Sequence, residues 1–198
     1  MRLVLATGNV GKLKELRELL PSPAFEVLPQ SQFTTVGADE TGLSFVENAI
    51  LKARHAARVS GLPAIADDSG LEVDALGGAP GIYSARYASD TATDADNLRK
   101  LIGALKGTPP SRRTARYQCA LVFMRSADDP SPLICQASWE GRIIDEPRGS
   151  GGFGYDPIFE LLERPVTVAE LDAAEKNLLS HRGKALRGLV VQLRETRR

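Results

Sequence analysis

The sequence Leu62-Pro63-Ala64-Ile65-Ala66-Asp67-Asp68-Ser69-Gly70 decides how the rest of the chain is arranged. An apolar run that ends in two adjacent carboxylates predicts a buried strand that reaches the surface and turns there. The Ser and Gly that follow favour a tight turn, whose backbone can approach a ligand closely. The alternative is that Leu71 to Leu76 extend the strand. Ionised carboxylates are costly to bury without partners. We therefore expect positive groups near Asp67 and Asp68, and a site for a metal ion and a phosphate.

The composition is that of an ordinary globular protein, with 42% hydrophobic and 25% charged residues in a chain of 198. This length suits one large domain over residues 1–198 or two small lobes. The 25 basic residues balance the 25 acidic ones, so the surface lacks the broad field that gathers nucleic acid or anionic membranes. We therefore expect neither nucleic acid nor membrane as a partner.

The compartment is expected to be the cytoplasm. The apolar stretch at the N-terminus is too short for a signal peptide, and no run reaches the ~20 apolar residues of a membrane span. Cys119 and Cys135 lie inside apparent strands and lack a ligand-like spacing. We interpret them as small buried hydrophobic residues in a reducing environment.

The segment Thr7-Gly8-Asn9-Val10-Gly11-Lys12, here called the phosphate loop, lies between a predicted strand and a predicted helix. Free backbone N–H groups and the helix dipole attract anions at such a place. It is not a Walker A loop, because its glycines are too close together and Leu13 replaces the metal-binding hydroxyl. The alternative is an ordinary Asn N-cap beside a solvated Lys. Three polar side chains that can face one phosphate favour the binding site.

The glycine-rich run Gly149–Gly154 matches G-x-G-x-x-G literally. No strand ends before it, and Tyr155-Asp156-Pro157 prevents a following helix, so it is not a dinucleotide-binding turn. The run does place Phe153 and Tyr155 on a loop, where an aromatic ring can stack on a base. Ordinary packing of these rings is the alternative.

Hydrogen-bond donors cluster around the predicted last helix, in Lys176-Asn177 and Ser180–Lys184. Such a run is by default solvated surface, although His181 beside Arg182 could donate to a ligand. Glu40, in a polar loop, could join Asp68 as an oxygen ligand of Mg²⁺, which takes one or two carboxylates together with substrate phosphates.

The hydrophobic pattern predicts alternating strands and helices. A capping box at Ser44 and Glu47 predicts a helix to about Val59, and a second one at Thr167 and Glu170 predicts a short helix. The other predicted strands are Leu3–Ala6, Phe25–Leu28, Tyr117–Met124 and Leu133–Ile144, and the other predicted helices run from about Leu13 to Leu20, Thr93 to Leu105 and from Ser180 onward.

Four stretches together resemble one family. They are Ala6–Asn9 with Lys12, Asp67–Leu71 continuing into Gly77–Gly81, Gly151–Pro157, and Ser180–Gly183. In this order and spacing they resemble the bacterial inosine/xanthosine triphosphate pyrophosphatases over essentially the whole chain. Residues 159–166, rich in charge and proline, match nothing in that pattern.

The resemblance implies a Mg²⁺-dependent hydrolase that cleaves ITP, dITP and XTP to the monophosphate and pyrophosphate, which keeps aberrant purines out of DNA and RNA. It implies an elongated, two-lobed α/β fold around a long mixed sheet, with the active site in the cleft between the lobes. It also implies a homodimer.

The resemblance further implies a role for individual residues. Thr7, Gly8, Asn9 and Lys12, with Lys52, would hold the triphosphate, and Ser69 would contact the substrate. Glu40 and Asp68 would bind the metal, with Asp68 also the general base. The base pocket would be formed by Phe153, Gly154, Tyr155, Asp156, Lys176, His181 and Arg182.

Three other functions remain open at this point. A related pyrophosphatase of the cell-division-inhibitor type would act on modified pyrimidine or standard triphosphates. A nucleotide sensor would bind without turnover, although an acidic pair weakens phosphate binding unless a metal lies between. A nucleic-acid-binding module fits least, given the neutral charge balance.

Overall fold

The computed structural model describes residues 1–20 and 24–195, and within them it shows an α/β fold. The strands are Arg2–Ala6 (β1), Glu26–Pro29 (β2), Ala64–Val73 (β3), Thr114–Met124 (β4), Leu133–Ile143 (β5) and Phe159–Leu161 (β6). They form a sheet in the order β2-β1-β3-β4-β5-β6. β1 is parallel to β2 and to β3, whereas β5 and β6 are antiparallel to each other. The predicted α/β class with a mixed sheet is confirmed.

The described α-helices are Val10–Leu19 (α1), Phe45–Ser60 (α2), Asp94–Ala104 (α3), Ala173–Leu179 (α4) and His181–Glu195 (α5). Four of them match helices that the hydrophobic pattern predicts; α4 does not. Within residues 1–20 and 24–195, no helix combines the length and the apolar character that a bilayer crossing requires.

The chain divides into two compact units. The first unit contains residues 1–68, 119–137 and 181–198, and the second contains residues 69–118 and 138–180. The division falls inside β3, β4 and β5, and in β3 it separates Asp68 from Ser69.

The first unit has helices on both faces of its part of the sheet. Odd-numbered strand residues such as Leu5 and Ile65 pack with α1 and α5. Even-numbered ones such as Val4 and Ala66 pack with the alanine-rich face of α2. This alternation follows from the strand geometry, because successive side chains point to opposite faces. The side of β3 on which a residue lies therefore decides which helices it meets.

Helix α2 begins and ends where the sequence predicts. The Ser44 hydroxyl accepts a hydrogen bond from the Glu47 N–H at 3.3 Å, and Gly61 ends the helix in the left-handed conformation at φ 67°. The reciprocal half of the capping box differs from the prediction. The Glu47 carboxylate accepts from the Leu43 N–H and the Ser44 hydroxyl, so it binds the preceding loop to the helix.

The second unit has its own core, in which Leu71 of β3, Leu101 of α3 and Ile143 of β5 are fully or almost fully buried. Tyr117 of β4 packs on Phe159 of β6 with ring centroids 4.6 Å apart. This aromatic contact joins a long strand to the short β6.

One local prediction is wrong. β3 does not turn at Ser69 and Gly70 but continues to Val73, in agreement with the alternative that the strand extends beyond Leu71. Pairing within the sheet, rather than local propensity, decides this outcome. The capping box at Thr167 and Glu170 is present and opens the predicted short helix, a 3₁₀ turn of three residues. Two short elements were not predicted: β6 begins after Ile158, and α4 begins after Asp172, whose side chain caps it.

Candidate active site

The two adjacent carboxylates lie on opposite faces of β3. Residues two positions apart on a strand point to the same face of the sheet. Asp67 therefore lies on the face of Ile65, toward α1 and α5, whereas Asp68 lies on the face of Ala66, toward α2. Both are buried, with 1% and 6% of their surfaces exposed. The expectation that they emerge at a strand end is therefore wrong. The expectation of positive partners is confirmed, and each face supplies its own.

Asp68 is paired with a lysine from α2. Lys52 Nζ donates to Asp68 Oδ1 at 2.6 Å and lies 3.6 Å from Glu40 Oε2, so two carboxylates share one ammonium group. Burial raises the pKa of Asp68 above its ordinary value, although Lys52 acts in the opposite direction. A carboxylate with a raised pKa is a better proton acceptor than a solvated one.

Asp67 is the centre of a buried ionic cluster. Lys12 Nζ lies 2.6 Å from its Oδ1, while Arg182 Nε and the Cys119 thiol donate to its Oδ2 at 3.0 and 3.1 Å. Arg182 also pairs with Glu15 of α1. Burial acts to raise the pKa of Asp67, but the charges of Arg182 and Lys12 hold that pKa well below its usual range. Asp67 is therefore ionised at neutral pH.

The phosphate loop ends in a side-chain cap. Asn9 Oδ1 accepts from the backbone N–H of Lys12 at 3.0 Å, and the Thr7 hydroxyl accepts from the Asn9 N–H at 3.1 Å. The predicted N-cap is therefore present. Lys12 is not the solvated side chain of the alternative interpretation, because Asp67 holds its ammonium group. Gly8 and Val10 are exposed, and Gly11 is half-buried.

Glu40 itself is exposed, but the loop that carries it is attached to α2. Asn48 Oδ1 accepts from the Gly42 N–H at 2.8 Å. An added Cβ at Gly42 would lie 2.5 Å from Glu47 Cβ, so this position requires glycine. Asn48, Lys52 and the attached loop are thus carried by one helix.

The carboxylates fit a Mg²⁺ ion that takes few protein ligands. Asp68 Oδ2 is buried and has no hydrogen-bond partner among the residues that the structure describes, and Glu40 shares Lys52 with Asp68. Among those residues, no group of three or more His, Cys, Asp or Glu side chains is arranged to hold a metal. Mg²⁺ is held in many sites by one or two carboxylates plus substrate phosphates, which is the arrangement available here.

In the second unit, the segment Gly151–Pro157, here called the aromatic loop, is wrapped around the carboxylate of Asp156. Asp156 is 4% exposed, and its Oδ2 accepts from Lys176 Nζ at 2.7 Å and from the Phe153 N–H at 2.9 Å. Lys176 Nζ lies 4.5 Å from the centroid of the Phe153 ring. An aromatic ring and a cation are therefore held side by side on this loop.

Two further contacts fix the aromatic loop. The Gly154 N–H donates to Asp94 Oδ2 at 2.7 Å, and the Tyr155 hydroxyl donates to the Ser84 carbonyl at 2.8 Å. Burial raises the pKa of Tyr155 above its ordinary value, so the hydroxyl keeps its proton. Tyr155 is 5% exposed, which fits the packing alternative for this ring, whereas Phe153 is only half-buried.

We predict that Gly152→Ala disrupts this loop. Gly152 has φ 73°, and an added Cβ would lie 2.0 Å from Asp156 Oδ2. The substitution should lower the free energy of unfolding by more than about 1 kcal/mol, because Asp156 must move away from Lys176. Denaturant unfolding measures this effect.

Gly107→Ala is the matched control. Gly107 has φ 83° in the same unit, but an added Cβ would meet no atom within 4 Å. It therefore shares the backbone strain without the collision. Equal losses of stability in the two variants would contradict the role assigned to the contact with Asp156.

The predicted site residues divide between the two units. The first unit holds the phosphate loop, Glu40, Lys52, Asp68, His181 and Arg182, and the second holds Ser69, Phe153, Gly154, Tyr155, Asp156 and Lys176. Within the first, the structure brings Lys12 and Arg182 to Asp67, and Glu40 and Lys52 to Asp68. His181 is buried at the start of α5, and Ser69 is half-buried on β3.

Five residues in these clusters were not predicted from the sequence. Glu15 and Cys119 contribute to the cluster at Asp67, and Tyr117 and Asp94 contribute to the aromatic loop. Asn48 holds the loop of Glu40. A signal existed for Glu15, which lies near Lys12 on the predicted helix. The others carry no local pattern that singles them out.

Comparison with known proteins identifies relatives over nearly the whole chain. Residues 3–192 match the model of the Ham1 family. A dITP/XTP pyrophosphatase of Thioalkalivibrio sulfidiphilus is 61% identical over 193 residues, which covers 98% of each protein. One from Escherichia coli strain K12 is 56% identical over 193 residues, again 98% of each.

A solved structure agrees with these matches. The HAM1 protein of Coxiella burnetii has 50% sequence identity and a TM-score of 0.90, covering 98% of this chain and 99% of its own. The resemblance inferred from the four motifs is therefore confirmed. The chain belongs to the Ham1 family.

Proposed function

We propose that this chain is a nucleoside-triphosphate pyrophosphatase that hydrolyses ITP, dITP and XTP to the monophosphate and pyrophosphate. The name of its full-length relatives supports this function. The observation that carries it is Asp68, a buried carboxylate with one oxygen bonded to Lys52 and the other without a partner among the described residues. Such a group is suited to accept a proton in a water-excluded site.

In the proposed reaction, water attacks the α-phosphorus. A bond forms between the water oxygen and phosphorus, and the bond from phosphorus to the α,β-bridging oxygen breaks, so that pyrophosphate leaves with that oxygen. Asp68 orients the water and accepts its proton. Burial raises the pKa of Asp68 and so brings it closer to neutral pH. A general base is most effective when its pKa lies near the pH of the reaction.

Charge neutralisation would come from the first unit. Lys12 and Lys52 would donate to the phosphate oxygens, together with backbone N–H groups at the start of α1. Asp67 keeps the Lys12 ammonium group in place. Mg²⁺ held by Glu40 and Asp68 would supply further positive charge to the triphosphate, which phosphoryl transfer uses to stabilise developing negative charge.

Discrimination would depend on the C6 position of the base. Hypoxanthine and xanthine carry an oxygen there, whereas adenine carries an amino group. Lys176 would donate to the oxygen and would meet another donor if adenine entered. A site with buried polar groups left unpaired rejects the wrong ligand strongly. Phe153, half-buried beside Lys176, would stack on the base.

We also propose that the enzyme is a cytoplasmic homodimer. Both cysteines are free thiols, which agrees with a reducing compartment. The dimer follows from the family resemblance, and sedimentation of the purified protein would test it. Its role would be to remove deaminated purines from the nucleotide pool.

The test of the function is pyrophosphate release from ITP, XTP, GTP and ATP, with Mg²⁺ and after its removal by chelation. We expect kcat/KM for ITP to exceed that for ATP by at least about 100-fold, and we expect chelation to abolish turnover until Mg²⁺ is restored. Preference for a pyrimidine triphosphate would indicate the cell-division-inhibitor type. Tight binding without pyrophosphate release would indicate a sensor.

A further inference from the structure

The Asp156 carboxylate has a third donor, which comes from the interior of the sheet. The Tyr117 hydroxyl donates to Asp156 Oδ1 at 2.9 Å, while Lys176 and the Phe153 N–H donate to Oδ2. The three donors belong to β4, to α4 and to the aromatic loop. One buried carboxylate therefore joins three separate segments of the second unit.

Tyr117 is the most firmly placed of these donors. It lies within the long strand β4, is 8% exposed, and packs its ring on Phe159. Lys176, by contrast, reaches Asp156 through a flexible side chain, and Phe153 lies on a glycine-rich loop. A tyrosine ring has few rotatable bonds, so its hydroxyl is fixed once the ring is packed. The hydroxyl thus provides the reference position for the carboxylate.

The bond to Oδ1 determines where Oδ2 lies. A carboxylate is planar, and rotation about its last side-chain bond would move both oxygens together. With Oδ1 held by Tyr117, Oδ2 is directed at the Lys176 ammonium group and the Phe153 N–H. The close approach of Gly152, where even a Cβ would collide with Oδ2, leaves little room for another orientation.

We propose that Tyr117 is a positioning residue for nucleobase selection, acting through Asp156 on Lys176 and Phe153. This inference rests on the proposed function, in which Lys176 donates to the C6 oxygen and Phe153 stacks on the base. Tyr117 itself is not expected to touch the substrate. Its effect should appear in the choice of base and not in the chemical step.

The test is Tyr117→Phe, which keeps the packed ring and removes the hydroxyl. We expect the ratio of kcat/KM for ITP to that for ATP to fall about tenfold, the size of one lost hydrogen bond. The loss should appear mainly as a higher KM for ITP, with kcat changed little. Tyr83→Phe is the control: Tyr83 is 53% exposed in the same unit, and its variant should keep the wild-type ratio.

Asp156→Asn distinguishes this role from a general contribution to packing. It removes the negative acceptor of Lys176 and should lower the ITP-to-ATP ratio by itself. If Tyr117 acts through Asp156, adding Tyr117→Phe to Asp156→Asn should cause little further loss. Multiplicative losses in the double variant would overturn the inference, and so would an unchanged ratio in Tyr117→Phe. If Tyr117→Phe does not fold, an unchanged ratio in Asp156→Asn would still overturn it.

Failure of the inference and failure of the proposed function give different results. If the wild-type protein releases no pyrophosphate from ITP or XTP, the proposed function is wrong. If the wild-type protein selects ITP and Tyr117→Phe selects it equally well, the function stands and the role of Tyr117 is refuted.

Discussion

Asp68→Asn is expected to lower kcat for ITP hydrolysis by about 10²- to 10⁴-fold, the usual contribution of a positioned general base. This corresponds to roughly 3–5 kcal/mol of the activation barrier. Asparagine keeps the size of the side chain and an oxygen that can bond to Lys52, but it cannot accept a proton. Pyrophosphate release at saturating ITP measures the effect.

The fold should survive this substitution. Burial raises the pKa of Asp68, which means that the folded state disfavours its charged form relative to the unfolded chain. Near neutral pH the charge therefore costs stability, and a neutral amide removes that cost. Lys52 keeps Glu40 as a counter-ion. The melting temperature should be unchanged or slightly higher, and near-normal turnover would exclude Asp68 as the base.

The sequence alone predicts that Asp67 and Asp68 need positive partners, but not their arrangement. A tight turn at Ser69 and Gly70 would expose both carboxylates at one strand end. In the structure the strand continues, and its alternation sends Asp67 toward α1 and α5 and Asp68 toward α2. Ser and Gly only permit a turn, whereas pairing in the middle of a sheet holds the strand extended.

The partners of Asp67 are contacts that the sequence alone does not predict. Cys119 and Arg182 are 52 and 115 positions away in the sequence. The resemblance singles out Arg182, but it implies a role in the base pocket and does not indicate the bonds to Asp67 and Glu15. Long-range contacts of this kind depend on strand order, which no local pattern encodes.

The short elements were hidden for a different reason. β6 has three residues and α4 has seven, too few for a hydrophobic period to be recognised. α4 is nevertheless functional in the proposal, because it carries Lys176. The sequence marks this lysine as one of a cluster of donors, and the resemblance implies a role for it, although hydrophobic periodicity does not predict its helix.

Asp67→Asn is expected to destabilise the fold, unlike Asp68→Asn. The pKa of Asp67 is lower in the folded protein than in the unfolded chain. The charged carboxylate therefore stabilises the fold at a pH above its pKa in the unfolded chain, and this stabilisation is lost as the pH falls through its pKa in the folded protein. Removing the charge at neutral pH leaves Lys12 and the 2%-exposed Arg182 with less compensation. Breaking a buried ion pair costs about 3–5 kcal/mol, which lowers the melting temperature by about 10 °C.

The adjacent isosteric change, Asp68→Asn, is the control, since it removes the same charge one residue away on the other face of β3. A second variant tests the cause directly. The cost of Asp67→Asn is expected to arise from the uncompensated charge of Arg182. The double variant Asp67→Asn with Arg182→Met should then lose far less stability than the sum of the losses in the two single variants, because the unmatched buried cation is removed together with its partner. Thermal unfolding of the four proteins at pH 7 measures this coupling. Additive losses, or an Asp67→Asn protein as stable as Asp68→Asn, would show that the cluster around Asp67 does not support the fold in this way.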